Sequence, residues 1–346
     1  MPNNKTTPIL ALIKAEQPIA ASDIYSKINL GESTIRKYIK QLIDEKLVIT
    51  TGIGKATKYA ISPSYELLIP INMNTYYSID ENDRKAKETF NHDLIPLVLQ
   101  NVNLFTKEEL THLNSIQDKY LKSIASIDND IYTKRLEVLA IDLIWKSSEI
   151  EGNTYSLLET EALIKQKELA EGKSKEDAVM LLNHKEALDF ILADLEYLKP
   201  LTLQKTITIH SVLTSNLGIN QSLRKKGVGI TGTNYTPLAL ESQIREAMVS
   251  TISLVNSKNN VFEKALLLLS MISYIQAFND GNKRTARIVS NAILMSEGFC
   301  PLSFRTVKAV DYKKAMLLFY EQNNISELKK VFIEQYEYAV NKYFDL

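Results

Sequence analysis

The run Gln276-Ala277-Phe278-Asn279-Asp280-Gly281-Asn282-Lys283-Arg284-Thr285-Ala286-Arg287 decides how this chain is read. It separates two apolar stretches with helical spacing, Val261 to Ala277 and a second one from Thr285 with Ile288, Val289, Ala292 and Ile293 on one face. A short polar loop that feeds a helix N-terminus presents free backbone N–H groups and the positive end of the helix dipole, which suits an anion. Gly281 permits positive φ or close approach of the backbone. Asn282 can donate from its amide, and Lys283, Arg284 and Arg287 supply cations; Arg284 and Arg287, three apart, share a face and can grip two phosphates. Asp280 would repel phosphate unless a divalent cation lay between them, so it points to Mg²⁺. Phe278 anchors the loop. Gln276 stands where such a cradle would want a proton acceptor, and its amide can only give or take a hydrogen bond.

The remainder of the chain is read outward from this loop. A length of 346 residues exceeds one ordinary core and predicts two or three domains. The 45% hydrophobic and 24% charged residues are the balance of a globular protein, and 11 glycines argue against a glycine-rich doubly wound sheet. The single cysteine, Cys300, excludes an intramolecular disulfide and fits a reducing compartment. With four scattered histidines, it also argues against a zinc site. Lys14 and Glu16 interrupt the apolar stretch Ile9–Ile13 too early for a signal peptide, and no run reaches the roughly 20 apolar residues of a membrane span. A cytoplasmic protein without a membrane partner is expected.

Net charge is zero overall but uneven. Residues 1–65 carry nine Lys/Arg and five Asp/Glu, 9 − 5 = +4, which leaves −4 for the rest. This basic segment predicts a helix from Pro8, a second capped by Ser22, a third from Ser33 or Thr34, and a strand–turn–strand from Val48 to Ile61. The order resembles a winged helix-turn-helix domain. By that resemblance Arg36, Lys37 and Lys40 face double-stranded DNA, with Lys55 and Lys58 on the wing; the other reading is a winged helix used for packing or protein contact. A homodimer is compatible with such a module. Ser62-Pro63-Ser64 reads as a linker. Amphipathic helical runs then fill the chain from Tyr132 onward, broken by Val228–Pro237, which reads as a short hairpin of β-branched residues around glycines.

The run from Gln276 resembles the signature of the Fic (Fido) family, H-x-F-x-[DE]-G-N-G-R-x-x-R. Six of its eight defined positions match: Phe278, Asp280, Gly281, Asn282, Arg284 and Arg287. Gln276 replaces the histidine, and Lys283 replaces a glycine, as in the Doc-like branch. Ser147-Ser148-Glu149-Ile150-Glu151-Gly152 is similar to the family's inhibitory motif [ST]-x-x-x-E-[GN] through Ser147, Glu151 and Gly152.

The resemblance implies a mainly α fold. It is an all-helical core with a small β-hairpin flap, plus the N-terminal α+β winged helix. The expected division is 1–63 winged helix, 64–130 helical connection, 131–199 inhibitory helix and its neighbours, and 200–346 Fic core. It implies ATP and Mg²⁺ as ligands, with Asp280 at the metal and Gly281, Asn282, Lys283, Arg284 and Arg287 at the nucleotide. It also implies a protein target with a Ser, Thr or Tyr hydroxyl, aligned by a flap that includes Ile230, Thr231, Gly232 and Tyr235, and a Glu151–Arg287 pair that displaces the γ-phosphate. In the family the histidine takes the target's proton. With Gln276 there, the expectation is an adenylyltransferase that is weak or inactive; the alternative is a nucleotide-sensing, DNA-binding regulator. His210, on an apolar helix, reads as a structural residue more than as a substitute base.

Overall fold

The computed structural model describes residues 6–45 and 47–345, which divide into two compact units. One runs to Pro70 and includes Gln322–Asn324; the other holds Ile71–Glu321 and the chain from Ile325.

The first unit contains α1 (Thr7–Glu16), β1 (Ile19–Ala20), α2 (Ala21–Lys27), α3 (Glu32–Asp44), β2 (Val48–Thr51), β3 (Lys58–Ile61) and α4 (Pro63–Leu68). β2 and β3 pair antiparallel with Val48 opposite Ile61 and Thr51 opposite Lys58. β1 adds on the far side of β3, so the sheet order is β1-β3-β2. Ile9, Ile13, Ile24, Ile35, Ile39, Leu42 and Val48 form its core, and each fully buried side chain of this size contributes about 1.5–3 kcal/mol.

Local chemistry corrects the expectation at three points. The second helix starts at Ala21 with Ala20 at its N-cap, not with Ser22. The third starts at Glu32 behind Gly31. Ser62-Pro63 is a helix start instead of a linker: the Ser62 hydroxyl accepts from the Ser64 amide at 3.2 Å, and Pro63 occupies the first turn, where its missing N–H costs nothing.

The second unit is helical: α5 (Met73–Tyr77), α6 (Lys107–Ala125), α7 (Asn129–Glu149), α8 (Leu157–Gln166), α9 (Lys175–Ala193), α10 (Leu203–Leu213), α11 (Glu241–Ser257), α12 (Val261–Ile275), α13 (Asn282–Ser296), α14 (Ala309–Gln322) and α15 (Ser326–Tyr343). A π-helical turn covers Leu94–Leu99. α12 is its axis. Every residue from Ala265 to Ile275 is buried, as expected of a helix that is apolar all round. α13 packs against it and is buried from Arg284 through Leu294. The polar loop between these two helices is therefore held by the least deformable part of the unit. No helix among the described residues is long and apolar enough to cross a membrane.

Candidate active site

The loop begins where α12 stops. Gln276 adopts the left-handed conformation, φ 51° and ψ 57°, and so ends the helix. Its carbonyl accepts from Nε of Arg224 at 2.5 Å, and the Arg224 amide donates to the carbonyl of Ala277 at 3.0 Å. Its side-chain Nε2 donates back to the Ser273 carbonyl at 2.7 Å, while Oε1 accepts from Nδ2 of Asn282 at 3.0 Å. Asn282 also closes the loop: Oδ1 accepts from the Phe278 amide at 2.9 Å, and Nδ2 donates to the Phe278 carbonyl at 2.8 Å. The Asn282 side chain, expected at a phosphate, is thus engaged inside the loop.

Behind the loop, His210 stacks on Phe278 with ring centroids 3.7 Å apart and planes at 6°. Its Nε2 lies 2.9 Å from the Asp280 carbonyl, an atom that only accepts, so this nitrogen carries the proton. Burial pushes the imidazole pKa down, which keeps it neutral. His210 is a structural residue of the loop. Gly281 has φ +78°, and a Cβ there would sit 3.1 Å from Cγ2 of Thr214 and 3.5 Å from the His210 ring. The backbone therefore needs glycine at this point for both conformation and space. Gly281 also forms the N-cap of α13, which starts at Asn282, earlier than the expected Thr285. No side chain caps this helix, so its first amides have no capping side chain as partner.

The cations divide. Arg284 is 2% exposed; its Nη2 donates to Oδ2 of Asp280 at 3.1 Å, and its Nη1 is buried with no hydrogen-bond partner. Arg287 is fully buried. It donates from Nε to the Ser147 hydroxyl at 2.7 Å, and from Nη2 to the Ser147 carbonyl and to Oε1 of Glu151, both at 2.8 Å. The Tyr312 ring lies 5.3 Å from its guanidinium carbon. Glu151 completes the cluster by accepting from Nζ of Lys283 at 3.2 Å through Oε2. Burial works to raise the Glu151 pKa, but Arg287 and then Lys283 outweigh it and hold the carboxyl at about 2. On Arg287 burial again opposes the charge, and Glu151 more than offsets it, so that pKa is raised. Gly152, directly after Glu151, turns the chain away from α7 with φ +103°.

His184 on α9 is fully buried, with neither ring nitrogen partnered. Its pKa is lowered by burial first and by Arg284 and Arg287 second, so this face of the arginine pair meets a neutral ring.

A hollow of about 450 Å³ opens over the loop. Glu151, Gln276, Asn279, Asp280, Gly281, Asn282, Lys283 and Arg284 form its floor side; Val228, Gly229, Ile230 and Thr231 form one wall, and Lys313, Met316, Leu317 and Tyr320 of α14 the other. Arg287 does not line it, whereas its partner Glu151 does. Expected as a second phosphate grip, Arg287 instead pairs with that carboxylate through Nη2, and its Nη1 is buried without a hydrogen-bond partner.

The wall at 228–237 reverses at Thr231-Gly232 but forms no ladder between its two arms; its one bridge pairs Thr236 with Thr89. Ile230, Thr231 and Gly232 lie at the tip. Tyr235, read from sequence as a docking residue, is corrected to an anchor. It is 2% exposed, stacks on Tyr274 at 4.8 Å, and donates its hydroxyl to the Tyr274 carbonyl at 3.0 Å. An aromatic in a glycine-containing turn segment carries no sequence mark that separates these two roles.

Asp280 is the exposed carboxylate of the loop, with 66% of its side chain open, and its Oδ1 accepts from the Gly281 amide at 2.6 Å. Among the described residues no three His, Cys, Asp or Glu cluster as a self-sufficient metal site. A single exposed carboxylate, here also bonded to Arg284, could hold Mg²⁺ only if the other ligands came from phosphate and water.

In the first unit, Arg36, Lys37, Lys40 and Lys58 are exposed. Arg36 donates to the Tyr25 hydroxyl at 2.9 Å and sits 3.6 Å from Glu32. The Lys55 side chain lies outside the described residues.

Comparison with known proteins agrees with this geometry. The model of the Fic/DOC family matches residues 200–294. The protein adenylyltransferase Fic of Nematostella vectensis is 30% identical over 173 residues, 49% of this chain and 40% of that one. The protein of the same name from Aedes aegypti is 28% identical over 193 residues, 54% of this chain and 38% of that one. The chain thus spans less than half the length of these curated relatives. Fic-1 (residues 134–508) from C. elegans superposes with TM-score 0.61 at 20% identity, over 68% of this chain and 72% of that structure. A Fic family protein from Desulfovibrio desulfuricans G20 superposes with TM-score 0.58 at 18% identity, over 69% of this chain and 74% of that one. The signature loop, α12 and most of α13 fall inside the matched span, and it is residues 200–294 of this chain that are similar to the Fic/DOC family.

Proposed function

We propose that this chain binds ATP over the α12–α13 loop and transfers AMP to a hydroxyl of a protein target, slowly and under restraint by Glu151. One observation carries the reading: the uncapped N-terminus of α13 and the buried, half-partnered Arg284 share a hollow with a carboxylate that ties up Arg287. The amides of the first helical turn and Arg284 suit the phosphates of a nucleotide. Glu151 occupies the place where Arg287 would meet a terminal phosphate, so a triphosphate binds in full only when that pair opens.

In the reaction, a target hydroxyl oxygen forms a bond to the α-phosphorus, the bond to the β-phosphate oxygen breaks, and pyrophosphate leaves with that electron pair. Bound Mg²⁺ would neutralise phosphate charge, and Asp280 is the residue to hold it. The hydroxyl proton has no histidine to receive it and passes to water or to a phosphate oxygen as the new bond forms. Gln276 orients, through a side chain already fixed by Ser273 and Asn282, but holds no proton. Without a general base the rate falls by about 10²–10⁴.

The test is incubation of the Glu151→Gly protein with Mg²⁺ and α-labelled ATP, alone and combined with Gln276→His. Label on protein that is faint in the first and strong in the second supports the reading. Nucleotide binding without label in either variant removes the transferase assignment.

A second reading rests on the exposed Arg36, Lys37, Lys40 and Lys58 of the first unit. It takes the chain as a nucleotide-responsive DNA-binding regulator. Phosphate contacts would make duplex affinity fall steeply with salt; a flat salt response in a duplex-binding titration rejects it.

A further inference from the structure

The wall segment 228–237 has two unlike arms. Among the described residues, the backbone groups of Val228, Gly229, Ile230 and Thr231 make no hydrogen bonds, and this arm lines the hollow. The other arm is occupied by the chain itself. The Thr236 amide donates to the Glu88 carbonyl at 2.8 Å, Thr236 bridges Thr89, and Asn234 donates to the Glu81 carbonyl at 3.1 Å. The tip between them is fastened by Arg84. Its Nη2 donates to the Gly232 carbonyl at 2.8 Å and to Oε1 of Glu321 at 3.1 Å. Both charged side chains are buried, 6% and 0% exposed, and the guanidinium carbon lies 5.0 Å from the Tyr77 ring and 5.8 Å from the Tyr76 ring. Glu321 is held in turn by the Tyr76 hydroxyl at 2.5 Å.

A buried ion pair is a poor source of stability, because removing two charges from water offsets most of their attraction. It is a good way to fix a position. This pair spends its third contact on one loop carbonyl beside the hollow.

We infer that Arg84 is a positioning residue for the target. It fixes the Gly232 turn, and with residues 81–89 covering the outer arm, an extended target segment can add only along Val228–Thr231. Strand addition there needs the open backbone groups of that arm at a set height above the loop. This rests on the transferase reading above.

The experiment compares Arg84→Met/Glu321→Gln with its parent, both in a Glu151→Gly/Gln276→His background. The paired change removes both charges at similar volume, so the fold survives; Arg84→Lys is a second variant that keeps the charge on a shorter side chain without the planar guanidinium. Three quantities are read: amide exchange at 228–236, AMP transfer from ATP to a pool of threonine-bearing octapeptides, and AMP release to water. The expected result is exchange at 228–236 faster by tenfold or more, peptide KM raised by roughly fivefold or more, and unchanged AMP release to water, which needs no docking edge. Arg84→Lys should fall between. Unchanged peptide KM, or exchange that rises equally throughout the unit, overturns the inference while leaving nucleotide chemistry standing. Loss of AMP release to water in the parent itself would instead remove the reading on which it rests.

Discussion

The side-chain amide of Asn282 donates across 3.0 Å to Oε1 of Gln276, so two neutral amides meet at the centre of the loop. The contact fixes the rotamer of Gln276 and leaves its oxygen occupied. A histidine at this position meets the same surroundings: left-handed backbone, which histidine tolerates better than most residues, and a neighbouring donor that suits an imidazole nitrogen.

Gln276→His is therefore expected to fold as the parent does and to raise AMP transfer by about 10²–10⁴-fold in a Glu151→Gly background. Its rate should rise with pH through the imidazole range near 6.5, whereas the Gln276 protein should lack that step. Initial rates of label transfer between pH 5.5 and 8 check both points.

The Glu151 carboxyl is held at about 2 against an ordinary 4.5, a depressed pKa. Its contribution to stability is therefore complete above pH 4.5 and is lost as pH falls toward 2. The melting temperature of the parent should fall relative to Glu151→Gln across that window, and their difference should stay constant from pH 5 to 8. The Glu151–Arg287 pair is thus not expected to switch with pH in the physiological range.

Gly281→Ala places a Cβ 3.1 Å from Thr214 at φ +78°. Left-handed backbone costs a non-glycine residue about 1–2 kcal/mol, and the crowding adds to it. Stability should fall by about 2 kcal/mol or more in denaturant titration, with a larger loss of nucleotide affinity because the first amides of α13 move.

Arg224→Met removes the donors to the Gln276 and Lys226 carbonyls. Hydrogen bonds from a charged donor contribute about 1.5–3 kcal/mol each, so unfolding free energy should drop by at least about 2 kcal/mol. Amide exchange should quicken first at 276–282.

The helical order was legible because α12 and α13 carry their burial in their composition, and because the polar loop between them is dense in residues with few other uses. The short elements were not. β1 has two residues, Ile19 and Ala20, and exists only because β3 offers it an edge. Ser62-Pro63 reads equally as linker and helix start until the Ser64 amide is seen against the Ser62 hydroxyl. Arg224 and Arg84 act through contacts 52 and 148 residues away, on backbone carbonyls that have no sequence signature. Glu151 was legible only through its motif; its second partner, Lys283, follows from the replacement of a glycine by a side chain long enough to reach it.

The most direct measurement is calorimetric titration of a non-hydrolysable ATP analogue, with Mg²⁺, into the parent and the Glu151→Gly protein. Freeing Arg287 from its charge-assisted bond should tighten binding by roughly 10- to 100-fold, and Arg287→Ala in the Glu151→Gly protein should abolish that gain. Equal affinity in parent and Glu151→Gly proteins, or a gain that survives loss of Arg287, would contradict the account.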